Sequence, residues 1–125
     1  MSQRDAETAM LLEKFERVPH LFELARSEAD QSGGDLHATM ERLAQEHRKQ
    51  QRPFLLAMPM RHRDRCASNE HQFGAVNYEL VLPQGRGLLG ARERSVKFSE
   101  RELHEVREHS HPFPPELAEL LRTLP

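Results

Sequence analysis

Eight histidines and a single cysteine carry most of the reactive chemistry in this 125-residue chain. His104, His109 and His111 form one group, and His62, Cys66 and His71 another. Imidazole and thiolate are the ligands zinc prefers in a four-coordinate site. The string His104-Glu105-Val106-Arg107-Glu108-His109 is one residue longer than the two-histidine zinc motif H-E-x-x-H. On a helix, residues at i, i+5 are set about 140° apart, whereas an i, i+4 pair shares one face. The spacing matches no structural zinc pattern. No metal and no cofactor are therefore expected. Cys66, His71, His104, His109 and His111 are the residues at which a metal would be sought. Cys66 becomes a nucleophile only if neighbours such as His62, Arg63 and Arg65 lower its pKa. His62, Asp64, Glu70, His71, Glu79 and Arg92 have the right types for base, acid and anion clamp. Nothing in their spacing brings them together.

Gly85-Arg86-Gly87-Leu88-Leu89-Gly90 is a literal G-x-G-x-x-G. Such glycines hold a pyrophosphate when they join a strand to a helix in a parallel βαβ unit. A strand precedes them here, but ARERSVKFS after them looks like a second strand. A hairpin loop is the expected role.

The charge pattern offers a third chemistry. Residues 1–46 carry ten Asp/Glu and five Lys/Arg, residues 47–97 four and ten, and residues 98–125 six and three. The formal net charge of −2 hides a basic centre between acidic ends. Arg48, Lys49, Arg52, Arg61, Arg63 and Arg65 surround the middle of the chain, and Arg86, Arg92 and Arg94 follow. Clustered arginines clamp phosphates or carboxylates through a bidentate fork. The overall charge is slightly acidic, unlike most dedicated nucleic-acid domains. The chain has no Trp, one Tyr and six Phe, which leaves few rings for base stacking. These cations are therefore assigned first to a protein partner or to internal pairing with the acidic segments.

The elements that must hold these residues are read from periodicity. Leu11, Phe15, Val18, Phe22 and Ala25 make one helical stripe over residues 5–31. Pro19 interrupts it, so the helix must kink or divide near Val18–Pro19. Gly33 and Gly34 turn the chain, and Asp35 is an N-cap for a helix over 36–51 with Leu36, Met40, Leu43 and His47 on one face. Pro53 ends it. Residues 54–58, FLLAM, read as a buried strand, 61–71 as a polar basic loop, and 73–82 as a half-buried strand. Residues 83–87 have turn chemistry, and 88–98 form a return strand. Ser99-Glu100-Arg101-Glu102 is a capping box for a helix over 100–109. Pro115 suits the first position of a last helix carrying Leu117, Leu120, Leu121 and Leu124.

The expected fold is α+β. An N-terminal helical hairpin (1–52) precedes a small antiparallel sheet of about three strands with a basic loop (53–98) and two short C-terminal helices (99–125), all in one domain. One cysteine makes no internal disulfide. No signal peptide or apolar span of roughly 20 residues is evident. A cytoplasmic protein of bacterial or phage origin is the expectation. The first functional reading is a small non-enzymatic interaction or regulatory protein, of inhibitor, immunity-like or assembly type. It would dock a charged surface on a protein partner, with no membrane involvement, and a homodimer is a further expectation. The alternative is a nucleic-acid binder using residues 47–65 and the 86–97 hairpin. The third reading is a small His/Glu hydrolase or nuclease, metal-dependent if the histidines converge.

Overall fold

The computed structural model describes residues 6–65, 72–87 and 90–124. Among them are five helices and one three-stranded antiparallel sheet, so the fold is α+β. The order is α1 (Ala6–Glu16), α2 (Leu21–Ser32), α3 (Leu36–Lys49), β1 (Phe54–Arg65), β2 (Gln72–Gly87), β3 (Gly90–Ser99), α4 (Glu100–His109) and α5 (Pro115–Arg122). The strands pair in the order β1-β2-β3. No described helix is long and apolar enough to cross a membrane.

The chain divides into two compact units. One comprises Met1–Arg17, Met58–Tyr78 and Val96–Pro125. Here α1 packs against α5, so the first helix is not an arm of the expected N-terminal hairpin. The stripe residues Leu11 and Phe15 are buried, as are Leu117, Leu120 and Leu121 of α5 and Leu103 and Val106 of α4. Phe15 meets Phe98 edge-on at 5.8 Å, and Phe98 stacks on Tyr78 at 5.3 Å. Such ring pairs add about 0.5–1.5 kcal/mol beyond the area they bury. Ser99 closes the capping box as expected: its Oγ accepts from Glu102 N at 3.2 Å, and Ser99 N donates to Glu102 Oε1 at 3.1 Å. Pro115 opens α5 without the loss of a hydrogen bond, because first-turn amides have no partner inside the helix.

The other unit comprises Val18–Ala57 and Glu79–Ser95. The helical hairpin is α2–α3. The Pro19 expectation resolves as two helices rather than a kink. His20 caps α2 by accepting from Glu23 N through Nδ1 at 3.3 Å. The freed carbonyl of Pro19 accepts from Leu55 N at 2.9 Å, in a short parallel bridge between His20 and Leu55. The break required by proline thereby supplies a partner for the start of β1. Gly33 then ends α2 at φ +71°, a left-handed conformation that side chains resist, and its N–H donates to Ala29 O at 2.8 Å. Asp35 caps α3 as expected, accepting from His37 N at 3.1 Å. The core is Leu21, Ala44, Phe54 and Val81, with Met40, Leu43 and Leu56 partly buried against it.

Two boundaries differ from the sequence expectation. The basic loop at 61–71 is not a loop over its first five residues, because β1 continues through Arg65. The expected turn at 83–87 lies inside β2, which runs to Gly87, and β3 begins at Gly90. In both places backbone pairing across the sheet overrides a local sequence rich in charge, Pro or Gly. Proline is tolerated on edge strands, and Pro59 sits on β1, which among the described strands has a sheet neighbour on one side.

Candidate functional site

A concave surface lies along α3. A cleft of about 600 Å³ is lined by His37, Ala38, Met40, Glu41, Arg42, Ala44, Gln45, Arg48 and Leu56. Small-molecule and side-chain pockets run about 300–1,000 Å³. Why the cleft exists follows from the helix sequence. Ala38 and Ala44 lack the bulk to fill the space between α3 and Leu56 of β1. Met40 and Leu56 give the floor its apolar character.

The rim is polar, and its ionisable side chains are already paired. His37 Nε2 lies 3.1 Å from Glu41 Oε1. Arg42 holds Glu46 at 2.8 Å on its own helix and also pairs with Glu28 of α2. Arg48 Nε donates to Glu93 Oε1 of β3 at 2.9 Å, and its guanidinium lies 5.3 Å over the Phe54 ring. The pairs involving Arg42 and His37 are about half exposed or more, so each contributes little to stability. Their effect is to hold long side chains at the rim and leave the floor open. Arg48 is the more constrained, with side-chain exposure of 32% and an aromatic face beneath it.

Four of the nine arginine and lysine candidates have described side chains. Arg48 is engaged as above. Lys49 is exposed in the last turn of α3, beside the negative end of the helix dipole. Arg52 is exposed just beyond it, and its N–H donates to His47 O at 2.9 Å. Arg94 is exposed on β3. Arg61, Arg63 and Arg65 fall in β1, Arg86 in β2 and Arg92 in β3, with side chains outside the described features. Neither of two long-range ion pairs joins the basic centre to an acidic end: Arg48–Glu93 links two residues of the basic centre, and Arg107–Glu16, which links α4 to α1 at 2.6 Å, lies within the two acidic ends.

The histidine group behaves differently from its helical-wheel expectation. His104 and His109 meet edge-to-face with ring centroids 5.2 Å apart, although i, i+5 positions diverge by about 140°. Helical side chains lean back toward the N-terminus, so His109, the last residue of α4, reaches the turn that carries His104. Both Nε2 atoms are buried. His111 follows the left-handed turn at Ser110, and its Nδ1 is 3.8 Å from Glu105 Oε2. Among the described residues no group of three or more His, Cys, Asp or Glu is arranged to hold a metal ion. Cys66, Glu70 and His71 lie outside the described residues, and the side chains of His62, Asp64 and Arg92 are likewise outside the described features. Glu79, half-buried on β2, is the remaining member of the acid–base set. Gly85 and Gly87 end one strand and Gly90 begins the next, so the glycine motif joins strand to strand and lacks the helix that a phosphate cradle requires.

Sequence reasoning missed the cleft. Its signal was the pair of alanines, Ala38 and Ala44, on a helix otherwise built of large residues. Periodicity identifies an apolar face but not whether a neighbour fills it. No protein-family model, curated protein or solved structure matches the chain.

Proposed function

We propose that this chain is a binding module that docks a protein partner through the α3 cleft, with no chemistry of its own. The observation that carries this reading is the anatomy of that surface: an apolar floor of Ala38, Met40, Ala44 and Leu56 inside a rim of charged residues. An apolar centre with a polar rim is how protein interfaces are organised. A floor of this size accepts one or two apolar side chains from a partner, as in helix-in-groove recognition. Lys49 and Arg52, exposed beyond the C-terminal end of the same helix, would meet acidic groups flanking that anchor. A regulatory, inhibitory or assembly role fits such a module.

The test is substitution of Ala38, an exposed cleft residue, by arginine. Ala38→Arg fills the floor without touching the buried core. Quantitative affinity capture from the source cells should then lose one specific protein that the wild-type chain retains, with an unchanged melting temperature. Retention of the same partners by both chains contradicts the reading. Recovery of nucleic acid instead, with affinity falling steeply as salt rises, supports the basic-segment alternative.

A further inference from the structure

We propose that the open edge of β3 pairs with the same edge of a second copy of this chain, antiparallel and centred on Ser95. The observations are those of the sheet edge, although Glu93 is also the partner of Arg48 on the rim of the α3 cleft. The sheet order β1-β2-β3 gives β3 one neighbour and, among the described residues, leaves its other side without a strand. The opposite edge differs, because β1 is bridged at Leu55 by His20. On β3, Glu93, Arg94 and Ser95 are exposed in succession. Successive strand residues point to opposite faces, so Arg94 is exposed on one face and Glu93 and Ser95 on the other, where the Glu93 carboxylate also meets Arg48 of α3. Lys97 is exposed as well.

Charge selects the partner and the register. Two identical antiparallel strands related by a two-fold axis have one residue facing itself. An axis at Glu93, Arg94 or Lys97 sets like charges directly opposite, which is destabilising. An axis at Ser95 sets Glu93 opposite the second copy's Lys97, twice by symmetry, and Arg94 opposite Val96. An axis at Val96 creates no opposite-charge pair. Charged edges normally guard a sheet against indiscriminate pairing. The sequence Glu93-Arg94-Ser95-Val96-Lys97 repels most strands and is complementary to itself in one register. Glu93 already accepts from Arg48, at Oε1 (2.9 Å) and at Oε2 (3.5 Å), and Lys97 of the second copy would share this carboxylate, since each oxygen has a further lone pair.

The experiment is sedimentation equilibrium of the 125-residue chain and two charge reversals, Glu93→Lys and Lys97→Glu, each alone and mixed. The wild type should sediment at twice the chain mass. Each single variant should dimerise on the order of tenfold more weakly or worse, since both cross-strand pairs become repulsive. An equimolar mixture should recover the dimer. The Glu93→Lys chain then presents a cation at both positions, and the Lys97→Glu chain sets a carboxylate opposite each of them. Circular dichroism of each variant reports folding, and the recovery in the mixture cannot arise from misfolded chains. A monomeric wild type at high concentration overturns the proposal. So does a dimer that neither reversal weakens, which would place self-association on another surface, or association only with a different protein.

Discussion

Phe54 offers the sharpest test of the packing that shapes the cleft. Its ring is fully buried among Leu21, Ala44 and Val81, with the Arg48 guanidinium 5.3 Å above it and the His47 ring at 5.9 Å. Truncation to alanine removes a transfer contribution of about 1.5–3 kcal/mol. It also leaves a cavity of about 100 Å³, worth roughly 2.4 kcal/mol at 24 cal/mol per Å³ if the walls do not collapse. Partial collapse brings the sum to about 3–5 kcal/mol. Against a typical total of about 5–15 kcal/mol, Phe54→Ala should lower the urea midpoint severely or leave little folded protein. Phe54→Leu keeps most of the volume and should cost about 1–2 kcal/mol, largely through the lost ring contacts. A double-mutant cycle pairing Phe54→Leu with Arg48→Met should then show a coupling of about 0.5–1 kcal/mol for the cation–ring contact. Urea unfolding followed by far-ultraviolet circular dichroism gives all four free energies. A midpoint for Phe54→Ala within experimental error of the wild type would refute the placement of Phe54 at the centre of this core. Zero coupling would remove Arg48 from its seat on the ring.

Ser99→Ala opens the capping box of α4 and should cost about 1 kcal/mol, read as a lower urea midpoint; no change would mean that the cap is not made. Gly33→Ala meets no atom within 4 Å but must adopt φ +71°, so about 1 kcal/mol of destabilisation is expected from backbone strain alone, and a stabilised variant would contradict the left-handed end of α2. Leu43→Ala should cost roughly 1–2 kcal/mol, below the range for a fully buried leucine, because Leu43 is only partly buried against the core. Glu93→Gln should change stability by less than about 1 kcal/mol in low salt, and by less still in high salt, since both members of the Arg48 pair are about one-third exposed.

Local signals in the sequence proved sufficient for the helices. Pro19, Asp35, the Ser99–Glu102 box and Pro115 each act within one turn, so the residues themselves place α1 to α5 within about two positions. Strand extents depend on a partner far along the chain. The run from Arg61 to Arg65 has no apolar alternation, yet it belongs to β1 because β2 offers a backbone to pair with. The same reason extends β2 through Pro83 and Gly85. The stripe on α3 was legible, but its depth was not: Ala44 is the buried residue, while Leu36, Met40, Leu43 and His47 are half-buried. Candidate cations were legible by type alone. Whether an arginine is spent internally, as Arg48 is on Glu93 and Phe54, depends on geometry that no spacing rule contains. The approach of His104 to His109 depended on the lean of side chains at a helix end, which a wheel projection omits.

Site-specific photo-crosslinking in the source cells addresses the docking reading most directly. A photoreactive phenylalanine replaces Ala38 in the cleft, and a second protein carries it at exposed Gln31 of α2 as control. The cleft position should yield one discrete heterologous protein adduct that the control position does not, and excess unlabelled wild-type protein should compete it away. Identical adduct patterns from both positions, or none from the cleft, would contradict a partner seated on α3.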